Sequence, residues 1–259
     1  MANALILKPL PLTGATASST MPGHDPAYVG NDFMGVVWRS AAAASTDLVV
    51  DLGRDQTIDT ALLLGCSGAT AAMTLEVATA TSAAGSVFAA AAAQPFLAGS
   101  EMPTSGRGIA FWQAAAPIVA RYVRFRIGGL GGAQAVVARV AVGAAIRLGR
   151  NFSTGSQFGV RDLGKADFSR HGVLLRNRGA KLRTIGLSFQ SIDKPEVEAA
   201  VHPLLEQVGN TEVIAMVTDP AADPMRQRRI YFGPLVGDLG TALRKANFYQ
   251  AQANLVSLV

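Results

Sequence analysis

The chain has one cysteine and three histidines in 259 residues. A lone thiol cannot staple the chain, so the fold must be held by core burial or by assembly. Cys66 follows an apolar run and Gly65 with no partner motif, which predicts a buried, inert thiol and not a nucleophile. His24, His171 and His202 are far apart, and no H-x-x-x-H or H-E-x-x-H pattern would put two ligands on one helix face, so no metal site is expected. The G-x-S-x-G elbow of serine hydrolases is missing, because Gly65-Cys66-Ser67-Gly68 and Gly155-Ser156-Gln157-Phe158-Gly159 both fail its spacing. Gly129-Leu130-Gly131-Gly132 joins two strand candidates without opening a helix, which makes it a loop and not a dinucleotide fingerprint. The sequence therefore predicts no catalytic residues and no cofactor.

Long apolar runs are also missing. The Ala-rich stretch 83–93 carries Gly85 and Ser86 and falls well short of the roughly 18 residues of a membrane span, so no membrane insertion is expected. It reads as a helix by Ala propensity or equally as a loop or edge strand. The opening segment, "MANALILKPLPLTG", is broken by Pro9 and Pro11 before it reaches the length of a secretory core. A soluble protein with Met1 as its mature start is expected.

Charge is sparse and uneven. Only 16% of residues are charged against 49% hydrophobic, ample for packed cores. Residues 1–146 balance eight cations against eight anions, so the net +5 belongs entirely to residues 147–259. The arginines are scattered singly through strand-like segments, with no basic run and no aromatic interleaving, which argues against direct nucleic-acid binding.

What is present is period-two alternation. Leu48, Val50 and Leu52 share one face, Gly53-Arg54-Asp55-Gln56 offers a turn, and Ile58, Thr60, Leu62 and Leu64 alternate after it, so a β-hairpin is predicted over 48–64. Further strands are expected at 73–77, 123–127 and 136–142, giving an antiparallel sandwich. Alternation assigns Trp38 to its core and puts Asp51 and Asp59 on solvent faces beside the turn, an ordinary place for carboxylates and not a glycosidase pair.

After Ile146 the pattern changes. Residues 151–170 are polar and Gly-rich, and a strand follows over 182–189. Asp193, Pro195 and Glu196 then resemble a capping box ahead of Val197, Ala200, Val201, Leu204 and Val208, which repeat at helical spacing. Pro203 predicts a kink and Gly209-Asn210 a stop. Strands are expected at 213–217, 229–236 and, as one long element, 243–258. The chain thus divides into 1–146 and 147–259.

Two resemblances follow from these residues. Asn31-Asp32, Trp38-Arg39-Ser40, Val50-Asp51-Leu52-Gly53, Ile58, Ala120-Arg121-Tyr122-Val123-Arg124-Phe125 and Val140-Ala141-Val142-Gly143 occur in the order seen in the discoidin (factor 5/8 type C) family, so residues 1–146 resemble that galactose-binding-like β-sandwich. The element order of 147–259, ending in an alternating strand, is similar to the tail-tube-like domain of distal tail and baseplate proteins of long-tailed bacteriophages. The fold class is thus mainly β, with one α-helix in the second part.

Together the resemblances imply a structural protein of a phage tail tip: a homo-oligomeric ring, hexameric in that family, that meets the tail tube, hub and fibres, is assembled in the host cytoplasm and resides in the virion. The loops that reach ligand in the discoidin family are here poor in aromatic and charged residues, so a sugar site does not carry over with the fold; a host-surface glycan stays open as a ligand of the sandwich, with Asn31, Asp32 and Arg39 as the candidate ligand-facing residues. Phe248, Tyr249, Leu255, Val256 and Leu258 form the candidate subunit-interface strand, since apolar residues on both faces need cover. The alternative is a secreted or cell-surface carbohydrate-binding protein.

Overall fold

The structure, a computed structural model, describes residues 2–259; Met1, the expected mature start, lies outside the described residues. The protein is mainly β, its paired strands antiparallel, with one helical stretch of appreciable length among the described residues. It forms two compact units. The first is the chain up to Arg147 together with Ala215–Ile230; the second is Leu148–Ile214 together with Tyr231–Val259. The return of Ala215–Ile230 to the first unit departs from the two contiguous blocks read from the sequence.

In the first unit the expected hairpin does not form. Thr46–Cys66 is one 21-residue strand, antiparallel to the equally long Gly108–Gly128. The register jumps between Asp51↔Tyr122 and Gln56↔Ala120, so Leu52–Asp55 bulge out of the ladder without reversing it. Gly53 takes φ 79°, and a Cβ there would sit 2.7 Å from Thr13 Cγ2. Asp51 holds the bulge by accepting from Gly53 N at 2.7 Å and pairing bidentately with Arg121, Oδ1 to Nε at 2.9 Å and Oδ2 to Nη2 at 3.0 Å. The guanidinium, more than the coulombic pull of its charge, keeps the Asp51 carboxyl below its ordinary range.

Both halves of the long strand line a single core. Leu48, Val50 and Leu52 come from one side of the bulge, Ile58, Ala61 and Leu63 from the other, and Trp38, Leu75, Phe96, Val123 and Phe125 pack with them. Around this pair the seven-stranded sheet adds Arg139–Gly143, Thr74–Ala80, Gly14–Ala17 and two short edge strands. One of these, Ala89–Ala90, is all that the Ala-rich stretch contributes. Trp38–Arg39 pairs with Val136–Val137, and Trp38 is fully buried, as alternation predicts.

The far face is covered by chain from much later in the sequence. Gln227, fully buried, accepts from Ile109 N at 2.9 Å and donates to Gly99 O, while Arg226 donates to Ala98 O at 2.6 Å and lies over the Phe111 ring. Asp59, expected in solvent, is 3% exposed. Because the strand runs on instead of turning, Asp59 meets the Ala145–Arg147 strand, accepting from Ala145 N at 2.8 Å, Arg147 Nη1 at 2.6 Å and Thr60 Oγ1 at 2.8 Å. Ala145–Arg147 in turn pairs with Leu5–Leu7, whose other edge takes Ala215–Val217.

The second unit holds a four-stranded sheet in the order Gln157–Asp162, Lys181–Asp193, Phe248–Val256, Thr241–Lys245. The single long strand expected over 243–258 is a hairpin, turning at Ala246-Asn247 with Asn247 at φ 67°. The helical stretch runs through Lys194–Glu196, the π segment Val197–Val201 and His202–Val208. The capping box does not form: the Asp193 side chain makes no capping bond, and the Glu196 carboxylate, which would return to the Asp193 N–H, accepts from Gly149 N at 2.8 Å. The π turn precedes Pro203, widening the backbone where the proline ring would otherwise crowd it. Val197, Val201, Leu204 and Val208 are buried, and Gly209 at φ 52° ends the helix.

Trp38→Ala should lower stability by about 3–5 kcal/mol, read by chemical denaturation; a variant that melts like the parent would refute the core role. Asp59 gives a pH signature. Burial alone would raise its pKa, but the Ala145 amide, Arg147 and Thr60 outweigh it and the net shift is downward from 3.8. A folded pKa below the unfolded one adds stability above the unfolded value, lost as pH falls through the folded value. The melting temperatures of the parent and Asp59→Asn should therefore differ near neutrality and converge below about pH 4. A constant gap down to pH 2 would exclude ionised Asp59 as the tie.

Candidate functional site

The most exposed part of the second unit is the chain between its first two strands. Leu163 N bonds Ala180 O at 2.9 Å, the strands part at Gly164 and Gly179, and a second ladder of Lys165–Phe168 with Leu174–Asn177 carries the hairpin on as an arm. The waist needs its two glycines. A Cβ on Gly164 would lie 2.9 Å from Gly179 N, and one on Gly179 would run into Leu163 and Gly164 backbone. At the tip, Ser169 is bonded through its backbone and hydroxyl to His171, Gly172 and Val173.

From Gln157 to Lys181 every residue is exposed except half-buried Gly164 and Ser169. Seven of them are large and apolar: Phe158, Val160, Leu163, Phe168, Val173, Leu174 and Leu175, with Phe168 at 68% exposure. Register puts Phe168 beside Leu174 on one face of the arm and Leu175 on the other, so neither face is a polar side turned to water. The same 25 residues hold Arg161, Lys165, Arg170, Arg176, Arg178 and Lys181 against Asp162 and Asp167. The arm is both apolar and strongly basic. Residues 151–170 are polar and Gly-rich, but Phe158, Val160, Leu163 and Phe168 lie among them and Val173-Leu174-Leu175 follows, and this run of apolar residues is the sequence signal for the arm.

The candidate interface strand Phe248–Val256 is an inner strand. One side pairs with Lys181–Asp193 throughout; the other pairs with Thr241–Lys245 and then with Leu235 and Val236. Its backbone is therefore already satisfied. Leu255 is buried, and Phe248, Tyr249, Val256 and Leu258 are half-buried; Phe248 lies under the Arg150 guanidinium and Tyr249 edge-on to His202. The sheet's edges are instead Gln157–Asp162, the root of the arm, and Thr241–Lys245, where Leu243 is 64% exposed.

In the first unit a second surface gathers two of the three candidate ligand-facing residues. Asn31 Oδ1 accepts from Phe33 N at 2.8 Å, and Asp32 Oδ1 stands 3.1 Å from Arg139 Nε as an ion pair without hydrogen-bond geometry. Arg139 is buried and donates to Val29 O at 3.1 Å; desolvation depresses its pKa, and Asp32 opposes that shift. Arg107 Nη1 reaches Met34 O at 3.1 Å, so the loop is held from both sides. At its crest Phe33 is 74% exposed. Arg39 lies apart, half-buried on its short strand with Nε unpartnered.

Cys66 is 1% exposed and burial raises its thiol pKa far above the ordinary range, which makes it inert. Among the described residues no group of three or more His, Cys, Asp or Glu is placed to hold a metal ion, and no helix is long and apolar enough to cross a membrane.

No family model matches the chain, and no curated protein matches it. Solved structures do. A chitosan-binding module from a chitosanase/glucanase of Paenibacillus sp. IK-5 is similar at 20% identity and TM-score 0.40, over 52% of this chain and 97% of that one. The family 32 carbohydrate-binding module of C. perfringens NanJ, solved with galactose, is similar at 18% identity and TM-score 0.42, over 52% and 97%. The lectin domain of Lectinolysin, solved with Lewis B antigen, is similar at 18% identity and TM-score 0.40, over 51% and 93%. All three are sugar-binding modules spanning about half of this chain, and none is a tail protein.

Proposed function

We propose that this protein is a structural subunit that assembles with copies of itself into a closed ring and carries its β-sandwich as an attached recognition module. The observation that carries this reading is the arm. A two-stranded hairpin is marginal in water by itself, and this one exposes Phe168, Val173, Leu174 and Leu175, with Phe158, Val160 and Leu163 exposed at its root, so it gains stability when something covers it. The open edges of the second unit's sheet add to the argument. Gln157–Asp162 and Thr241–Lys245 are opposite ends of one sheet, so an edge-to-edge contact is head-to-tail, and head-to-tail contacts of identical subunits close into rings when the rotation allows. Of the assemblies with this logic, the tail tip of a long-tailed phage fits the resemblance of residues 147–259, with the tail tube, hub and fibres as neighbours, a hexamer as the ring, and the virion as its location.

A second reading concerns the sandwich, and Phe33 favours it. An exposed aromatic on a loop pinned by Arg139 and Arg107, beside a half-free carboxylate, is a rigid platform on which the apolar face of a sugar ring can stack while its hydroxyls meet Asp32 and Asn31. The two readings are compatible in one protein: a ring that presents a glycan-reading module. The sandwich alone would serve equally in a secreted or cell-surface binding protein.

Light scattering of the full-length protein against a variant with Gly164–Gly179 replaced by Asn-Gly should show an oligomer and a monomer, with circular dichroism confirming that the variant folds. A full-length protein monomeric up to millimolar concentration would refute the assembly reading. For the sandwich, Phe33→Ala should abolish retention on a glycan array without a change in melting temperature. Retention that survives the substitution would remove Phe33 as the platform.

A further inference from the structure

We infer that the basic arm of one copy docks on the acidic end of the helix in the next copy, making the contact between subunits an electrostatic as well as an apolar one; this rests on the assembly reading and names the surface that receives the arm. The argument begins with unbalanced charge. None of Lys165, Arg170, Arg176 and Arg178 has an ion-pair partner among the described residues, although together they span the arm from waist to tip. The hairpin beyond Gly164 reaches about 20 Å to Arg170 at strand rise. Its own unit leaves it in solvent.

The complementary surface is on the same unit. His202–Val208 ends with no basic residue in its last turn, yet Glu206 is exposed there and Glu212 follows three residues after Gly209. Asn210 Nδ2 donates to Gly237 O at 3.0 Å, bringing exposed Asp238 to the same end of the helix. Glu206, Glu212 and Asp238 have no ion-pair partner among the described residues. Three anions at the negative end of a helix dipole oppose it, and no ion pair among the described residues offsets them. Cations supplied from outside would offset both the anions and the dipole.

Charge complementarity selects the occupant. The arm carries six cations to two anions, the helix end three anions and no cation, so a second copy provides each surface with its opposite. Since donor and acceptor surfaces differ, the contact is heterologous and leaves one arm and one helix end free until the ring closes. The charges set which way the arm lies and discriminate against arm-to-arm pairing, where like charges would meet.

Charge reversal tests this by sedimentation velocity at low and high salt. Arg170→Glu with Arg176→Glu should weaken assembly about tenfold at low salt, and Glu206→Arg with Glu212→Arg should do the same. The four changes together should restore assembly toward the parent, because the pairs are re-formed with signs exchanged. All four sites are exposed, and circular dichroism checks folding. As an independent readout, a mixture of Arg170→Cys and Glu206→Cys proteins should give disulfide-linked dimers that neither gives alone, Cys66 being buried. A parent protein that stays monomeric overturns the assembly reading and this contact with it. An oligomer that is indifferent to reversal, or that the fourfold change does not rescue, overturns the contact alone.

Discussion

The first unit depends on the ladder between Thr46–Cys66 and Gly108–Gly128. Two strands of 21 residues give the frame of the unit's seven-stranded sheet, to which Gly14–Ala17, Thr74–Ala80 and Arg139–Gly143 add by pairing with one or the other. A ladder that long cannot stay flat, because strands twist, and the bulge at Leu52–Asp55 lets the same strand present inward residues on both sides of a bend. The Asp51–Arg121 pair is the fastener at that bend. It joins the bulged strand to its partner where backbone bonds between Asp51↔Tyr122 and Gln56↔Ala120 are interrupted.

That fastener explains what was legible in the sequence. Asp51 belongs to "VDLG" and Arg121 to "ARYVR", the two segments on which the discoidin resemblance chiefly stands, and they touch. The alternation that assigned Leu48, Val50, Trp38, Val123 and Phe125 to a core is equally local, since period two is a property of a single strand. The bulge was not legible. Gly53 followed by polar residues fits a hairpin turn and a bulge alike, and only the partner strand, some 70 residues away, decides between them. The burial of Asp59 follows from that decision, as does the docking of Gln227 and Arg226, whose bonds to Ile109, Gly99 and Ala98 span sequence separations that no pattern rule covers.

In the second unit the helix was legible and its cap was not. Apolar spacing from Val197 to Val208 survives in the structure because it states which face is buried. The capping box fails because Glu196 has a competing donor in Gly149, again a contact between residues distant in sequence. The candidate interface strand met a similar limit. Apolar residues on both faces of 248–258 do call for cover, and an inner position in the sheet provides it, leaving the edges of the sheet to other segments.

In the arm the chain's own rules are reversed over its longest exposed stretch among the described residues. Elsewhere this sequence buries Leu62, Leu63 and Leu64 in succession, both faces of a strand covered, and holds several strand arginines in ion pairs, Arg126 with Asp47 and Arg124 with Glu76 among them. Between Gln157 and Lys181 it does neither: the large apolar side chains lie in water and the cations are unpaired. A shortage of core cannot be the cause, since neither unit lacks one, and a solvated loop would need no Phe158, Phe168 or Leu174. Exposed large apolar side chains elsewhere, such as Phe33, Val87, Val119 and Leu243, are scattered, whereas here seven fall within 25 residues, and that concentration is what the assembly proposal rests on. The waist at Gly164 and Gly179 fits this, for two glycines lose more conformational entropy on folding than other residues and contribute no burial, yet only glycine allows the two backbones to meet this closely.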